Sequence, residues 1–309
     1  MCATHAGCDP PPSGLNTILP PAIAHRVEQT LLQHAQWRGR NSGHPMPRQQ
    51  QTLHAGASNF SVLVTDGQMQ WVVRIDGINP ALHGLNRQSE WHILQRAAAA
   101  GLGPAPRYFN PELGSLVYDY LPADPVQQYS VGDLAELVRG IHRLTPVRHR
   151  VNLKERIAGY EKRAHALTGD IARSTLAQGG AIDTLLTARH RPDSPLVLCH
   201  NDLLRSNRLL SGHQLRALDW EYAAMASPWY ELAVISVGDD MPGDARDELV
   251  RHYLQRAPTA QESRELQAHV TIYRYLELLW YLTHERAVLS TAQYQHKLTQ
   301  LRSAVAQLE

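Results

Sequence analysis

Little in this chain favours a disulfide framework. Of its 309 residues only Cys2, Cys8 and Cys199 are cysteine, an odd number with two of them near the start. A stapled secreted scaffold is excluded on that count, and a reducing, cytoplasmic setting is expected. Also missing is an excess of charge of one sign: 30 Lys and Arg stand against 29 Asp and Glu, a formal charge of +1. No global field recruits nucleic acid or an anionic membrane, so neither is expected as a partner. No run approaches the roughly 18 apolar residues of a transmembrane helix. The stretch 1–20 has neither the basic start nor the apolar core of a secretory signal. It is expected to be a disordered tail, in which Cys2, His5 and Cys8 have the wrong spacing for zinc.

What is present reads first as a small mixed unit. Ile23, Val27, Leu31 and Leu32 recur at helical spacing within 21–37. Strands are expected at 59–65 and 69–75, joined by Asp66-Gly67, a hairpin signal. Arg74 lies inside the apolar run WVVRID, where an unpaired charge is costly, and Glu90 in an amphipathic helix at 85–100 is its candidate partner. GLGPAP then breaks the chain before a buried strand at 116–118, and the prolines of DYLPADP mark a boundary. Beyond it the pattern is mostly helical: 131–144, then 153–186 with a break near Gly179-Gly180, a helix opening near Ser227 with Pro228 at its first position, and three helices from Asp244 onward. His142, beside the apolar face of its helix, reads as a core histidine. The expected division is an N-terminal lobe at 21–121 and a C-terminal lobe at 122–309, an α+β arrangement.

One stretch carries chemistry. LVLCHNDLLRSNRLLSGHQLRALDWEY sets His200 and Asp202 directly after an apolar run, Asn207 further along, and Asp219 at the end of a second short run, with a tight turn at Ser211-Gly212. One carboxylate beside an amide oxygen and a second carboxylate suits the holding of hard cations next to a reacting hydroxyl. Upstream, HAGASN is a small-residue turn whose amides could cradle phosphate.

HNDLLRSN followed by ALDWEY resembles the catalytic and metal-binding motifs of the aminoglycoside phosphotransferase and choline kinase superfamily, protein-kinase-like in fold. The closer likeness is to the choline/ethanolamine kinase and bacterial thiamine kinase branch, in which DWEYA is followed by an acidic residue, leucine and alanine, here Glu231, Leu232 and Ala233. GASNFSVLV, WVVRID, RQSEWHIL and VYDYLP match the phosphate loop, nucleotide-binding strand, pairing-glutamate helix and hinge, in the family's order over about 53–240. The resemblance implies a two-lobed fold, with a small antiparallel sheet lobe carrying one helix and a larger, mainly helical lobe. It implies Asp202 as the residue that orients or deprotonates the hydroxyl, with His200 bracing the loop. It further implies Asn207 and Asp219 as Mg²⁺ ligands, Arg74 held by Glu90 on the ATP α- and β-phosphates, and Ser58 and Asn59 over the phosphates. The backbone around Tyr118, Asp119 and Tyr120 would take the adenine. Arginine stands where protein kinases carry lysine, and its fixed fork can still hold phosphate.

No activation segment follows Trp220-Glu221, so the expected acceptor is a small molecule rather than a protein. Tyr273, Glu277, Trp280, Tyr281 and His284 share adjoining positions of one helix at 262–289, a possible cage for a cation. Glu221, Asp239 and Asp240 are further acidic candidates. The expectation is an ATP- and Mg²⁺-dependent kinase of a small cationic alcohol of the choline, ethanolamine or thiamine type. An aminoglycoside- or sugar-directed phosphotransferase, and a nucleotide-binding pseudokinase or regulatory module, are the alternatives.

Overall fold

The computed structural model describes residues 19–37, 43–55, 59–80, 84–189, 195–284 and 289–307. The expected tail at 1–20 falls almost wholly outside these residues, and Ser58 lies outside them. By internal contacts the chain divides into two units. One comprises the described residues up to Ile78 together with Pro106–Tyr120; the other comprises Asn79–Ala105 and the described residues from Leu121 onward.

In the first unit, α1 (Pro21–Leu32) precedes a five-stranded antiparallel sheet. Its strands are β1 (Arg48–Ala55), β2 (Asn59–Thr65), β3 (Gln70–Asp76), β4 (Pro106–Asn110) and β5 (Ser115–Asp119), in the spatial order β1-β2-β3-β5-β4. Alternation decides which side faces α1. Phe60, Val62 and Val64 of β2, Trp71, Val73 and Ile75 of β3, and Val117 of β5 form one core with Ile23, Val27 and Leu31 of the helix. Side chains of this size contribute about 1.5–3 kcal/mol each when fully buried. Trp37 closes the end of that core edge-on against Trp71, with ring centroids 5.5 Å apart. Polar anchoring fixes the helix on the sheet: Arg26 donates from Nε to Leu113 O at 2.6 Å and from Nη1 to Asp76 O at 2.7 Å.

The β2–β3 hairpin turns as expected at Asp66-Gly67. Asp66 Oδ1 accepts from the Gln68 and Met69 amides at 3.0 and 2.9 Å, and Gly67 takes φ 93°, a value that suits glycine. β1 and β4 were not expected. Both are edge strands; β1 is largely exposed and polar (RQQQTLHA) and β4 opens on Pro106, so neither shows apolar alternation.

The second unit holds α2 (Arg87–Ala99), α3 (Val131–His142), α4 (Leu153–Ala164), α5 (Asp170–Leu176), α6 (Gly179–Arg189), α7 (Pro228–Gly238), α8 (Gly243–Leu254), α9 (Ala260–Thr283) and α10 (Thr291–Ala306). Two short pairs complete it: β6 (Val197–Cys199) with β9 (Ala224–Ala226), and β7 (Arg208–Ser211) with β8 (Gln214–Ala217). α2 groups here, whereas the expected boundary at 121/122 assigned it to the N-terminal lobe. The 153–186 helix expected to break once is three helices, and Gly179-Gly180 opens the third instead of interrupting one.

α9 is the scaffold of this unit. Thr259 and Glu262 form a reciprocal capping box at its start, and it buries Leu266, Val270, Ile272, Tyr275 and Leu279 against α7, α4 and α10. α7 begins as expected, with Ser227 as N-cap and Pro228 in the first turn, and it is apolar all round: Leu232, Val234 and Ile235 are wholly buried. Among the described residues no helix is long and apolar enough to cross a membrane.

The segment after α2 is pinned beside β8 by the Ala217 amide, which donates to Leu102 O at 2.8 Å. At the neighbouring Gly103 a Cβ would stand 2.9 Å from Trp220 Nε1 and 3.2 Å from Ala217 O, the two atoms that share the Trp220 indole hydrogen bond of 3.0 Å. Gly103→Ala is therefore expected to destabilise the protein by about 2 kcal/mol. A thermal unfolding midpoint equal to that of the wild type would contradict this packing.

Candidate active site

The expected stretch does place its polar groups at strand ends. β6 pairs with β9 in the register Val197↔Ala226, Leu198↔Met225 and Cys199↔Ala224, and the chain leaves the pair at His200. Asn201 then adopts φ 64°, and its side-chain amide donates to Tyr222 O at 3.0 Å and to Cys199 O and Ala224 O at 3.3 Å. Glu231, fully buried on α7, accepts from the His200 amide and from the Asn201 amide at 3.1 Å. Burial pushes this carboxyl up to about 7, against the pull of the two amides.

His200 is also fully buried. Its Nε2 lies 2.8 Å from Leu218 O, and since a carbonyl only accepts, Nε2 carries the proton. Burial lowers the imidazole pKa to about 4, so it is neutral at physiological pH. The other end of Leu218 is used as well: its amide donates to Asn207 O at 2.8 Å. The backbone of one residue, Leu218, thus ties the His200 side of the loop and the Asn207 side to the position before Asp219.

Asn207 Nδ2 donates to both Asp202 O and Asp202 Oδ2, each at 2.8 Å. With the nitrogen so committed, Oδ1 is the amide's acceptor atom. Asp219 sits at φ 55°, ψ 71°, a left-handed conformation that costs a non-glycine residue on the order of 1 kcal/mol or more and clusters at functional sites. Trp220, buried to 1%, follows it and lies tilted against the His200 ring with centroids 4.9 Å apart. Burial, then the charges of Asp219 and Glu221, push the Asp202 carboxyl well above its usual range; the Asn207 hydrogen bond opposes them. An amide oxygen with carboxylate oxygens is a donor set of the kind that fits a hard divalent cation.

Several expected site residues lie elsewhere than anticipated. Glu221 is buried and meets Arg87 Nη1 at 2.9 Å, and the same guanidinium reaches Glu90 Oε2 at 2.9 Å, so Arg87 bridges α2 to the loop after Asp219. Asp239, expected to face substrate, is taken up in a buried ion pair with Arg208, whose guanidinium lies 5.7 Å from the Tyr129 ring. Asp240 accepts from Gln300 at 3.4 Å. The Glu277, Trp280, Tyr281 cage is already filled: Lys297 Nζ sits 2.7 Å from Glu277 Oε1 and 5.7 Å from the centre of the Tyr281 ring. Trp280 stacks on His284 at 4.4 Å. A helical face of acid and aromatics attracted a cation as the pattern implied, and the cation is the protein's own. His142 is the core histidine expected, with Nδ1 at 2.9 Å from the Tyr253 hydroxyl.

Sequence reasoning missed Arg87, although its position three residues before Glu90 was a signal. It also missed Tyr160, Tyr222 and Tyr230, whereas Tyr273 was already a candidate on its helix face. Burial raises the phenols of Tyr160, Tyr222, Tyr230 and Tyr273, and each registers the charge of Asp202.

In the first unit, Asn59 and Arg74 are buried to 3%, and Arg74 is central in β3, between Ser61 and Leu116 on the flanking strands. The Asp119 carboxylate accepts a bidentate pair from Arg107 at 2.7 and 2.6 Å. Tyr118 pairs with Val72, and the Tyr120 amide donates to Gln70 O at 3.2 Å.

The profile of the "Phosphotransferase enzyme family" matches residues 49–268. Protein LicA of Haemophilus influenzae is 31% identical over 87 residues, 27% of this chain, and the match spans 33% of that protein's length. Among solved structures, a choline/ethanolamine kinase family protein from Mesorhizobium loti superposes with TM-score 0.67 at 22% identity, covering 90% of this chain and 94% of its own. A choline kinase from Cryptosporidium parvum gives TM-score 0.71 at 15% identity, covering 91% and 96%. The fold is the protein-kinase-like fold of these enzymes, with a small antiparallel sheet and a larger helical part.

Because Glu231 satisfies two buried amides, Glu231→Ala is expected to cost about 3 kcal/mol and Glu231→Gln, which keeps one oxygen, roughly half of that. Urea denaturation measures both; wild-type stability in the alanine variant would remove Glu231 as the anchor of the loop.

Proposed function

The chain belongs to the phosphotransferase enzyme family, and from that premise we propose that it is an ATP-dependent kinase transferring phosphate to the hydroxyl of a small alcohol. The observation that carries this is the lock between Asp202 and Asn207, with Asp219 held in a left-handed turn by the Leu218 backbone between them. Phosphoryl transfer asks the protein mainly for positioning and for positive charge where negative charge develops.

Asp202 Oδ atoms orient the acceptor hydroxyl and take its proton. The raised carboxyl fits a group surrounded by other acids before a cation joins them, since a bound cation reverses that balance. Asn207 Oδ1 and the Asp219 carboxylate would hold Mg²⁺, which when bound neutralises phosphate oxygens. Arg74, Ser58 and Asn59 are the proposed phosphate contacts, with Glu90 supporting Arg74. The backbone near Tyr118 and Asp119 is proposed for adenine. The Tyr120 amide is already used by Gln70, which makes it the weakest of that set.

A small acceptor is favoured because the chain passes from Asp219 through β9 directly into α7 at Pro228, with no segment on which a peptide could lie. For its chemical class, the reading is a cationic alcohol of the choline, ethanolamine or thiamine type. The names of the structural neighbours from Mesorhizobium loti and Cryptosporidium parvum support it.

Purified protein incubated with Mg²⁺-ATP and, separately, choline, ethanolamine, thiamine, an aminoglycoside or a simple sugar is expected to consume ATP with a cationic alcohol. Asp202→Ala should lower that turnover by roughly a thousandfold while sparing ATP binding. Asp219→Ala should weaken Mg²⁺-ATP binding as well. Wild-type-like turnover by Asp202→Ala would overturn the mechanism.

A further inference from the structure

Among the described residues four cations of the helical unit lie over aromatic rings; Arg208 is taken by its ion pair with Asp239, and the other three are not equivalent. Lys297 is tied to Glu277 by an ion pair of 2.7 Å besides lying over Tyr281. Arg163 lies 4.4 Å from the centre of the Tyr160 ring, on the same helix and exposed to solvent. Arg156 differs from both. Its guanidinium is partly buried, lies 5.2 Å from the centre of the Tyr222 ring, and among the described residues forms no ion pair with a carboxylate.

The backbone fixes Arg156 in this place. Arg150 bridges to Met225 of β9, with Val151 N donating to Met225 O at 3.0 Å and Met225 N donating to His149 O at 2.9 Å. Asn152 then caps α4 by accepting from the Glu155 amide at 3.2 Å. Since β9 pairs with β6, and β6 runs into His200 and Asp202, the first turn of α4 is anchored one strand away from the catalytic loop. Tyr222 follows Glu221, while Tyr230 on α7 packs edge-on against Tyr273 on α9 with centroids 6.0 Å apart. The Tyr222 carbonyl accepts from the Asn201 side-chain amide at 3.0 Å, one residue before Asp202, and the Arg156 guanidinium over the Tyr222 ring also hydrogen-bonds Tyr230, so ring, guanidinium and carboxylate share one neighbourhood.

A ring face next to the proposed proton acceptor is where the head group of a cationic alcohol would sit, through attraction to the ring quadrupole. Here a tethered cation of the same charge already covers that face, held by the Tyr222 ring and a hydrogen bond to the Tyr230 side chain and not by a carboxylate. We infer that Arg156 is a specificity-determining residue that keeps the place of the acceptor's cationic group: its guanidinium covers Tyr222 in the free protein, and a cationic acceptor binds by displacing it. The inference rests on the proposed cationic-alcohol reading. Its consequence is opposite in sign to that of an ordinary binding residue, because removing Arg156 strengthens acceptor binding. An arginine that instead held an anionic or polyhydroxylated acceptor would be missed when removed.

The test uses tetramethylammonium chloride as the probe, titrated calorimetrically into wild-type and Arg156→Gln protein against sodium chloride at equal ionic strength, so that screening cancels. Arg156→Gln is expected to bind the probe about fivefold more tightly, with KM for the cationic alcohol falling in step. Arg156→Lys, which restores a cation, should return affinity toward the wild type. Arg156→Met carries the same expectation as the glutamine variant should that protein not fold. Unchanged or weaker probe binding by Arg156→Gln or Arg156→Met, a raised KM, or no probe binding by any variant would overturn the inference. Failure of the kinase reading has a different signature: no ATP turnover by the wild type with any alcohol, whatever the probe does.

Discussion

A buried carboxylate meeting two backbone amides is the contact on which the rest of the site depends. Glu231 reaches from α7 to the His200 and Asn201 amides at the point where the chain leaves β6. Neither amide has a strand partner there, and a buried amide without an acceptor is costly, so the loop has little freedom to take another path. With that end fixed, the Leu218 backbone accepts from His200 and donates to Asn207, and Asn207 closes on Asp202. Asp219 is then held in a conformation that it would not adopt alone. Glu231, His200 and Leu218 set the path of this loop, and Asn207 in turn orients the Asp202 carboxylate. A site made of carboxylates needs this, because their mutual repulsion would otherwise drive them apart until a cation arrives.

The catalytic loop was legible in the sequence because its polar residues interrupt apolar runs, and such interruptions are expensive unless they serve something. In the structure His200, Asp202, Asn207 and the residue before Asp219 are joined by hydrogen bonds. The Asp66-Gly67 hairpin and the Ser227-Pro228 helix start were legible because a turn and a cap need particular residue types. Edge strands β1 and β4 were not, since exposure removes the alternation that marks a strand. The acidic residues expected to face substrate were the least legible. Asp239 pairs with Arg208 and Glu277 with Lys297, both partners being remote in sequence, and no local pattern announces a long-range ion pair.

That last outcome has a physical lesson for the acceptor. Aromatic rings and carboxylates on a helix face form a surface that attracts cations, and a protein with many arginines and lysines supplies its own first. Lys297 is fastened by a carboxylate and behaves as structure. Arg156 is held by the Tyr222 ring face and by the Tyr230 phenol with no carboxylate, the weaker attachment, which is why it and not Lys297 can be exchanged for a ligand. Affinity for a cationic acceptor in such a pocket is a difference between two cations, and it can be tuned by the tethered one without altering any group that touches the transferred phosphate.

The central claim is that the Asp202, Asn207 and Asp219 constellation directs the phosphoryl group of ATP onto an alcohol. Phosphorus-31 NMR of the protein with Mg²⁺-ATP and the acceptor that best stimulates ATP consumption tests this most directly. The account predicts a new phosphomonoester resonance growing in step with ADP, dependent on the acceptor. ADP accompanied only by inorganic phosphate, or no loss of ATP with any alcohol, would contradict it.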